Sequence, residues 1–137
     1  MAVTVKSIYQ GDLICDTIHE PSGDVIRTVA PVDNGGSGEH FSPTDMVGAS
    51  LASCFLTIAG LYAKKIGFDL KGASATVTKE MASNPRRISK LTMKVVIPNS
   101  QNLSLEQRKD LEKAASSCPV KQSLHDKTEV VVEYQYL

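Results

Sequence analysis

Residues 46–63 read MVGASLASCFLTIAGLYA, a run of eighteen positions without a charge and with Cys54 at its middle. Asp45 bounds it on one side, Lys64 and Lys65 on the other. A run of this length would just cross a bilayer as a helix, so a membrane span is the first possibility to weigh. Gly48, Ser50, Ser53, Thr57 and Gly60 dilute its hydrophobicity, and the neighbouring segments alternate as soluble strands do. The better reading is a core helix. Its punctuation agrees: Ser42 offers an N-cap oxygen, Pro43 suits the first helical position, and Asp45 lies in the first turn, where the dipole favours an acid. Lys64 and Lys65 fall in the last turn with Gly67 just beyond, which predicts a helix of about five turns.

A helix that is apolar all round must be covered all round. One sheet covers one side only, and a chain of 137 residues has little left for the other. The other predicted helix, 104–117, opens on a capping box of Ser104 with Gln107 and carries a narrow apolar stripe at Leu105, Leu111, Ala114 and Ala115. A monomer using that stripe as cover is the weaker option. The economical solution is an intimate homodimer, with Gly48, Ala49, Ser50, Ala52 and Ser53 letting a second backbone come close.

Outward from the helix, residues 3–10, 13–20 and 25–30 read as three short strands separated by a Gly11-Asp12 turn and by PSGD at 21–24. The glycine-rich loop PVDNGGSGEHFS, 31–42, joins them to the helix; its GGSG lacks the strand and lysine context of a phosphate loop and reads as a flexible connector. Two further strands, 72–81 and 88–98, flank the turn-like ASNPRR; Leu91, Met93, Val95 and Ile97 alternate with polar positions, a sheet with one buried face. CPVKQSLH, 118–125, reads as a short helix with Pro119 at its first position, and the closing strand sets Val130, Val132, Tyr134 and Tyr136 on one face. The fold class is α+β, a single domain over 1–137 in which antiparallel sheet wraps long helices.

Composition narrows the function classes. The chain is 42% hydrophobic and 22% charged, which argues for a globular domain over disorder. Lysine plus arginine and aspartate plus glutamate number 15 each, so no basic excess invites nucleic acid or a membrane surface. The N-terminus lacks the basic-then-apolar pattern of a signal peptide, and the expected compartment is the cytoplasm. No pair of histidines or cysteines has metal-ligand spacing, and no cofactor is expected. Three cysteines, Cys15, Cys54 and Cys118, make a poor disulfide framework; they are buried thiols or reactive ones. Cys118 precedes Pro119 and would cap the short helix, where free N–H groups and the dipole favour a thiolate.

FSPTDMVGASLASCFLTIA at 41–59, followed some sixty residues later by CPVKQSL at 118–124, resembles the osmotically inducible and organic hydroperoxide resistance (OsmC/Ohr) family. The resemblance covers essentially the whole chain. It implies an intertwined homodimer with two long helices at its centre and an active site at the subunit interface. It also implies thiol peroxidase chemistry on organic hydroperoxides, with Cys54 matching the peroxidatic cysteine, Cys118 the resolving one, and an external dithiol as reductant.

In one place the chain departs from the family pattern. The family's activating glutamate falls ten residues before the first cysteine, where Thr44 stands here; the adjacent Asp45 is the nearest acid. Arg27 is the best candidate for the activating arginine, ahead of Arg86 and Arg87 in their turn, and His40 could line the mouth of the pocket. Two alternatives follow. One is a stress or small-ligand-binding protein that keeps the fold with weak turnover or none. The other is a hotdog-type thioesterase, for which Asp45 would be the acid/base.

Overall fold

The computed structural model describes all 137 residues, and the chain divides into two compact units, Met1–Val47 and Gly48–Leu137. In the first, β1 (Val5–Gly11), β2 (Ile14–His19) and β3 (Val25–Val29) form an antiparallel meander in that order. The β1–β2 turn sits one residue later than the sequence suggests. Asp12 and Leu13 both take left-handed backbone angles, φ 51° and 63°, the pairing that matches strand twist in a two-residue hairpin. In the PSGD turn, the His19 carbonyl accepts from the Ser22 and Gly23 N–H groups, which sets Asp16 directly opposite Arg27.

The loop after β3 is a built turn, where the sequence suggests a flexible connector. A single 3-10 turn at Val32–Asn34 leads to Gly36, whose N–H donates to the Pro31 carbonyl at 3.0 Å. A Cβ on Gly36 would lie 1.6 Å from the Ala30 carbonyl oxygen, so only glycine fits without moving backbone. The unit ends in the first turn of α1 (Pro43–Ile66). There the Asp45 N–H donates to Ser42 Oγ at 3.0 Å and the Ser42 N–H donates back to Asp45 Oδ2 at 2.8 Å, a reciprocal capping box.

In the second unit α1 runs on to Ile66, where Gly67 (φ 72°) donates to the Lys64 carbonyl and Phe68 to that of Ala63, the double closure of a Schellman stop. Gly48, Leu51, Phe55, Ala59 and Ala63 form its buried stripe. Ser50, Ser53, Thr57 and Leu61 are exposed, so the helix is small and hydroxylated on one side and not apolar all round. By length and composition it could cross a membrane, with a mean hydropathy of 1.7 over the best window, of which only 28% is buried inside the chain.

β4 (Ser74–Ala82) and β5 (Arg87–Ile97) pair antiparallel; α2 (Leu105–Ser116) and α3 (Pro119–Ser123) follow, and β6 (Glu129–Tyr136) joins β5 on its other side. β5 and β6 run parallel, a correction to the expectation of purely antiparallel sheet. Two helices separate them in sequence, and such a connection, unlike a tight hairpin, can return the chain in the same direction. The expected alternation in β5 holds: Leu91, Met93, Val95 and Ile97 are all buried. Gly48 of α1 lies against Val77 and Leu91, close enough that a Cβ there would touch both. α2 opens on the Ser104–Gln107 capping box and buries Leu111 and Ala115, while Leu105, outside that stripe, is 75% exposed.

Candidate active site

Cys54 sits in α1 next to Phe55 of the buried stripe and is itself half-buried. Cys118 is fully buried at the start of α3, where its φ and ψ of −47° and 125° make it the N-cap by backbone, with Pro119 at the first position. The two residues are 64 positions apart, yet the fold makes them neighbours, close enough for the Cys54 side chain to act on the Cys118 thiol. Neither is in a disulfide.

The chemistry at Cys118 differs from the expectation for a helix cap. Burial pushes its thiol above the ordinary value, and the neighbouring Cys54 side chain adds to the rise. The N–H groups of Lys121 and Val120 pull the other way and lose. The side chain makes no formal cap bond to the helix. Desolvation thus outweighs the short helix, and Cys118 is held as the protonated partner. Cys54 is the more accessible of the two sulfurs.

Apart from Arg86 and Arg87, the other residues singled out in the sequence lie in the Met1–Val47 unit. Arg27 on β3 forms a bidentate pair with Asp16 on β2, Nε to Oδ1 at 2.7 Å and Nη2 to Oδ2 at 2.8 Å. The guanidinium holds the Asp16 carboxyl below its usual range, and the carboxylate in turn raises the Arg27 value. Asp16 is not marked by the sequence: counting register back from PSGD at 21–24 puts Ile18 opposite Arg27, and the loop instead falls at 20–23, which moves Asp16 into that place. His40 is exposed and adds a smaller favourable charge to Asp16. Thr44 is half-buried with its hydroxyl 3.2 Å from Ser42 Oγ. Asp45 serves the helix cap described above. Arg87, expected in the turn, instead opens β5 and reaches back over the turn, donating from Nη1 to the Ser83 and Pro85 carbonyls. Cys15, on the central strand of the first sheet, lines a cavity of about 350 Å³ with Ser7, Thr17, Ile26, Thr28, Pro43 and Met46.

Two three-stranded sheets, a long helix bearing one cysteine and a short helix capped by another define an OsmC-like α+β fold. The chain belongs to the OsmC-like protein family, whose profile matches residues 36–133. It is 42% identical to a solved protein of Psychrobacter arcticus 273-4, provisionally described as an osmotic stress induced and detoxification response protein. That alignment covers 98% of this chain and 97% of the other, with a TM-score of 0.91. An organic hydroperoxide resistance protein OsmC from Legionella pneumophila superposes with a TM-score of 0.77 at 16% identity, over 98% and 97% of the two chains. The organic hydroperoxide resistance protein OhrB of Bacillus subtilis does so at 0.69 and 18%, over 98% of each. The last two likenesses concern the fold alone. None of the curated proteins compared with it matches this chain.

Proposed function

We propose that the protein is a cytoplasmic, homodimeric thiol peroxidase that reduces organic hydroperoxides through Cys54 and Cys118. The observation that carries this reading is the closeness of the two thiols, 64 positions apart in sequence and near enough to influence each other. The half-buried Cys54 is the one a substrate can reach; its thiolate attacks the terminal peroxide oxygen, the O–O bond breaks, and the alkoxide takes a proton and leaves as the alcohol. The resulting sulfenic acid condenses with the Cys118 thiol, forming the disulfide and releasing water. An external dithiol returns both sulfurs to thiols by exchange and is itself oxidised. The 42%-identical relative aligns with 98% of this chain, both units included, and we treat them as one functional domain. The exposed side of α1, with Leu61 at 62% exposure, supports cover by a second copy.

A second reading, a stress or ligand-binding protein with weak turnover, draws on Arg27. A guanidinium already neutralised by Asp16 has less to offer a thiolate, and Thr44 stands where the family pattern has glutamate. The thioesterase reading is weaker, because an Asp45 oxygen is committed to the Ser42 N–H. Thiol titration before and after one equivalent of cumene hydroperoxide separates these. Loss of two of the three thiols, with a Cys54–Cys118 cross-link in the peptide map, supports the peroxidase. Three surviving thiols would sink it in favour of the binding protein, and an esterase activity that survives Cys54→Ser would favour the thioesterase.

A further inference from the structure

A second cavity, of about 220 Å³, opens between the β4–β5 turn and the loop joining α3 to β6, lined by Pro85, Arg87, Ile88, His125, Lys127 and Thr128. Two of those six side chains are cationic, a third is an imidazole, and none is acidic; Asp126 and Glu129 are neighbours in sequence but do not line it. In a chain of zero formal net charge this is a local concentration of one sign. Neither cation is ion-paired, the Arg27–Asp16 bridge being elsewhere.

Two of the donors are also held in place. Arg87 Nη1 is anchored on the Ser83 and Pro85 carbonyls at 3.2 and 3.0 Å, which fixes the guanidinium plane, while its buried Nε–H finds no acceptor. The Lys127 backbone N–H donates to His125 Nδ1 at 3.0 Å, so a neutral ring carries its proton on Nε2 and is a donor there. Thr128 Oγ1 donates to the Ile88 carbonyl at 3.0 Å and ties the two walls together. A rigid fork, an ammonium and an imidazole N–H are a donor set for oxygen anions. Two positive charges attract a dianion about twice as strongly as a monoanion at the same distance. We propose that this cleft binds a small dianionic oxyanion of the phosphate class.

The test is a titration with inorganic phosphate at about pH 8, where phosphate is a dianion. Ionic strength is held constant, and the imidazole proton resonances of the three histidines are followed, with His125→Gln used only to assign its signal. The expected result is a saturable shift confined to His125, with half-saturation below ~10 mM, and at least a tenfold weakening (~1.4 kcal/mol) in Lys127→Gln. That variant keeps the backbone N–H that orients the ring, so its fold is not at stake. Acetate should bind at least about tenfold more weakly than phosphate. A non-saturating response, equal shifts at His19 and His40, or an unchanged Lys127→Gln would overturn the site. Acetate binding as tightly as phosphate would overturn the dianion.

Discussion

The second sheet buries Leu91, Met93, Val95 and Ile97 on its central strand almost completely. In the first sheet every residue of the central strand is only half-buried, and Val29 is the single fully buried strand position. There Val5, Tyr9, Val25 and Ile26 stand 59%, 63%, 52% and 44% exposed. The second sheet is finished within one chain; the first carries apolar side chains that a lone chain leaves wet. Such surface is what association covers, and it is the physical ground for expecting a second copy. The contrast extends to chemistry, since the neighbouring sulfurs lie in the second unit and the first holds only Cys15.

The largest effect should come from the thiols. Cys54→Ser is expected to lower peroxide consumption by about two orders of magnitude or more, because a hydroxyl at neutral pH is a far poorer nucleophile than a thiolate. Cys15→Ser should leave the rate close to that of the parent. A coupled peroxide assay decides, and equal losses in both variants would erase the chemical distinction between the two units.

Next in size is the core. Phe55→Ala empties a fully buried site in the second unit and should cost about 3–5 kcal/mol in urea unfolding. Ile26→Ala, at an exposed position, should cost no more than about 0.5 kcal/mol when the protein is dilute. If a second copy covers the first sheet, the Ile26→Ala cost grows over about a hundredfold rise in protein concentration. A cost that stays flat would leave that sheet solvated in solution. Gly36→Ala comes below Phe55→Ala. The added methyl meets the Ala30 backbone, which cannot swing away like a side chain, and a loss of about 1–3 kcal/mol is expected in thermal melts.

Much of this was legible in the sequence where the signal is local. Ser42 and Pro43, Gly67, Ser104 with Gln107, and the period of two across 91–97 all act within a few residues, and the helices and strands they mark are present. Features that need two distant segments were harder to read. The parallel β5–β6 pairing is decided by the path through α2 and α3, not by either strand's composition. Asp16 opposite Arg27 depends on hairpin register, and the tight packing of Gly36 on Ala30 depends on the fold of a loop that reads only as glycine-rich. At the candidate site the two cysteines were marked by their surrounding motifs. The direction of the Cys118 shift was not, because burial is a property of everything packed around it.

Smaller than the losses at Phe55 and Gly36 is a pH dependence that tests how dry the second sheet is. Burial pushes the Tyr134 hydroxyl from 10.0 up to about 12, with the negative charge of Glu112 adding to the rise. Tyr136 is raised by burial too, and its hydroxyl donates to Glu112 Oε1 at 2.7 Å. For both, the native state keeps a proton that the unfolded chain gives up once the pH passes 10. Stability is therefore fully present below pH 10 and falls as the pH climbs toward 12. Both side chains are partly solvated, so the loss at pH 11 should be on the order of 1 kcal/mol, less than the full pKa difference implies. Urea midpoints measured from pH 8 to pH 11 would show it, and Tyr134→Phe should flatten the slope. If the slope is as steep in that variant as in the parent, ionisation of Tyr134 is not what weakens the fold, and the hydroxyl sits in a wetter place than its neighbours on β5 suggest.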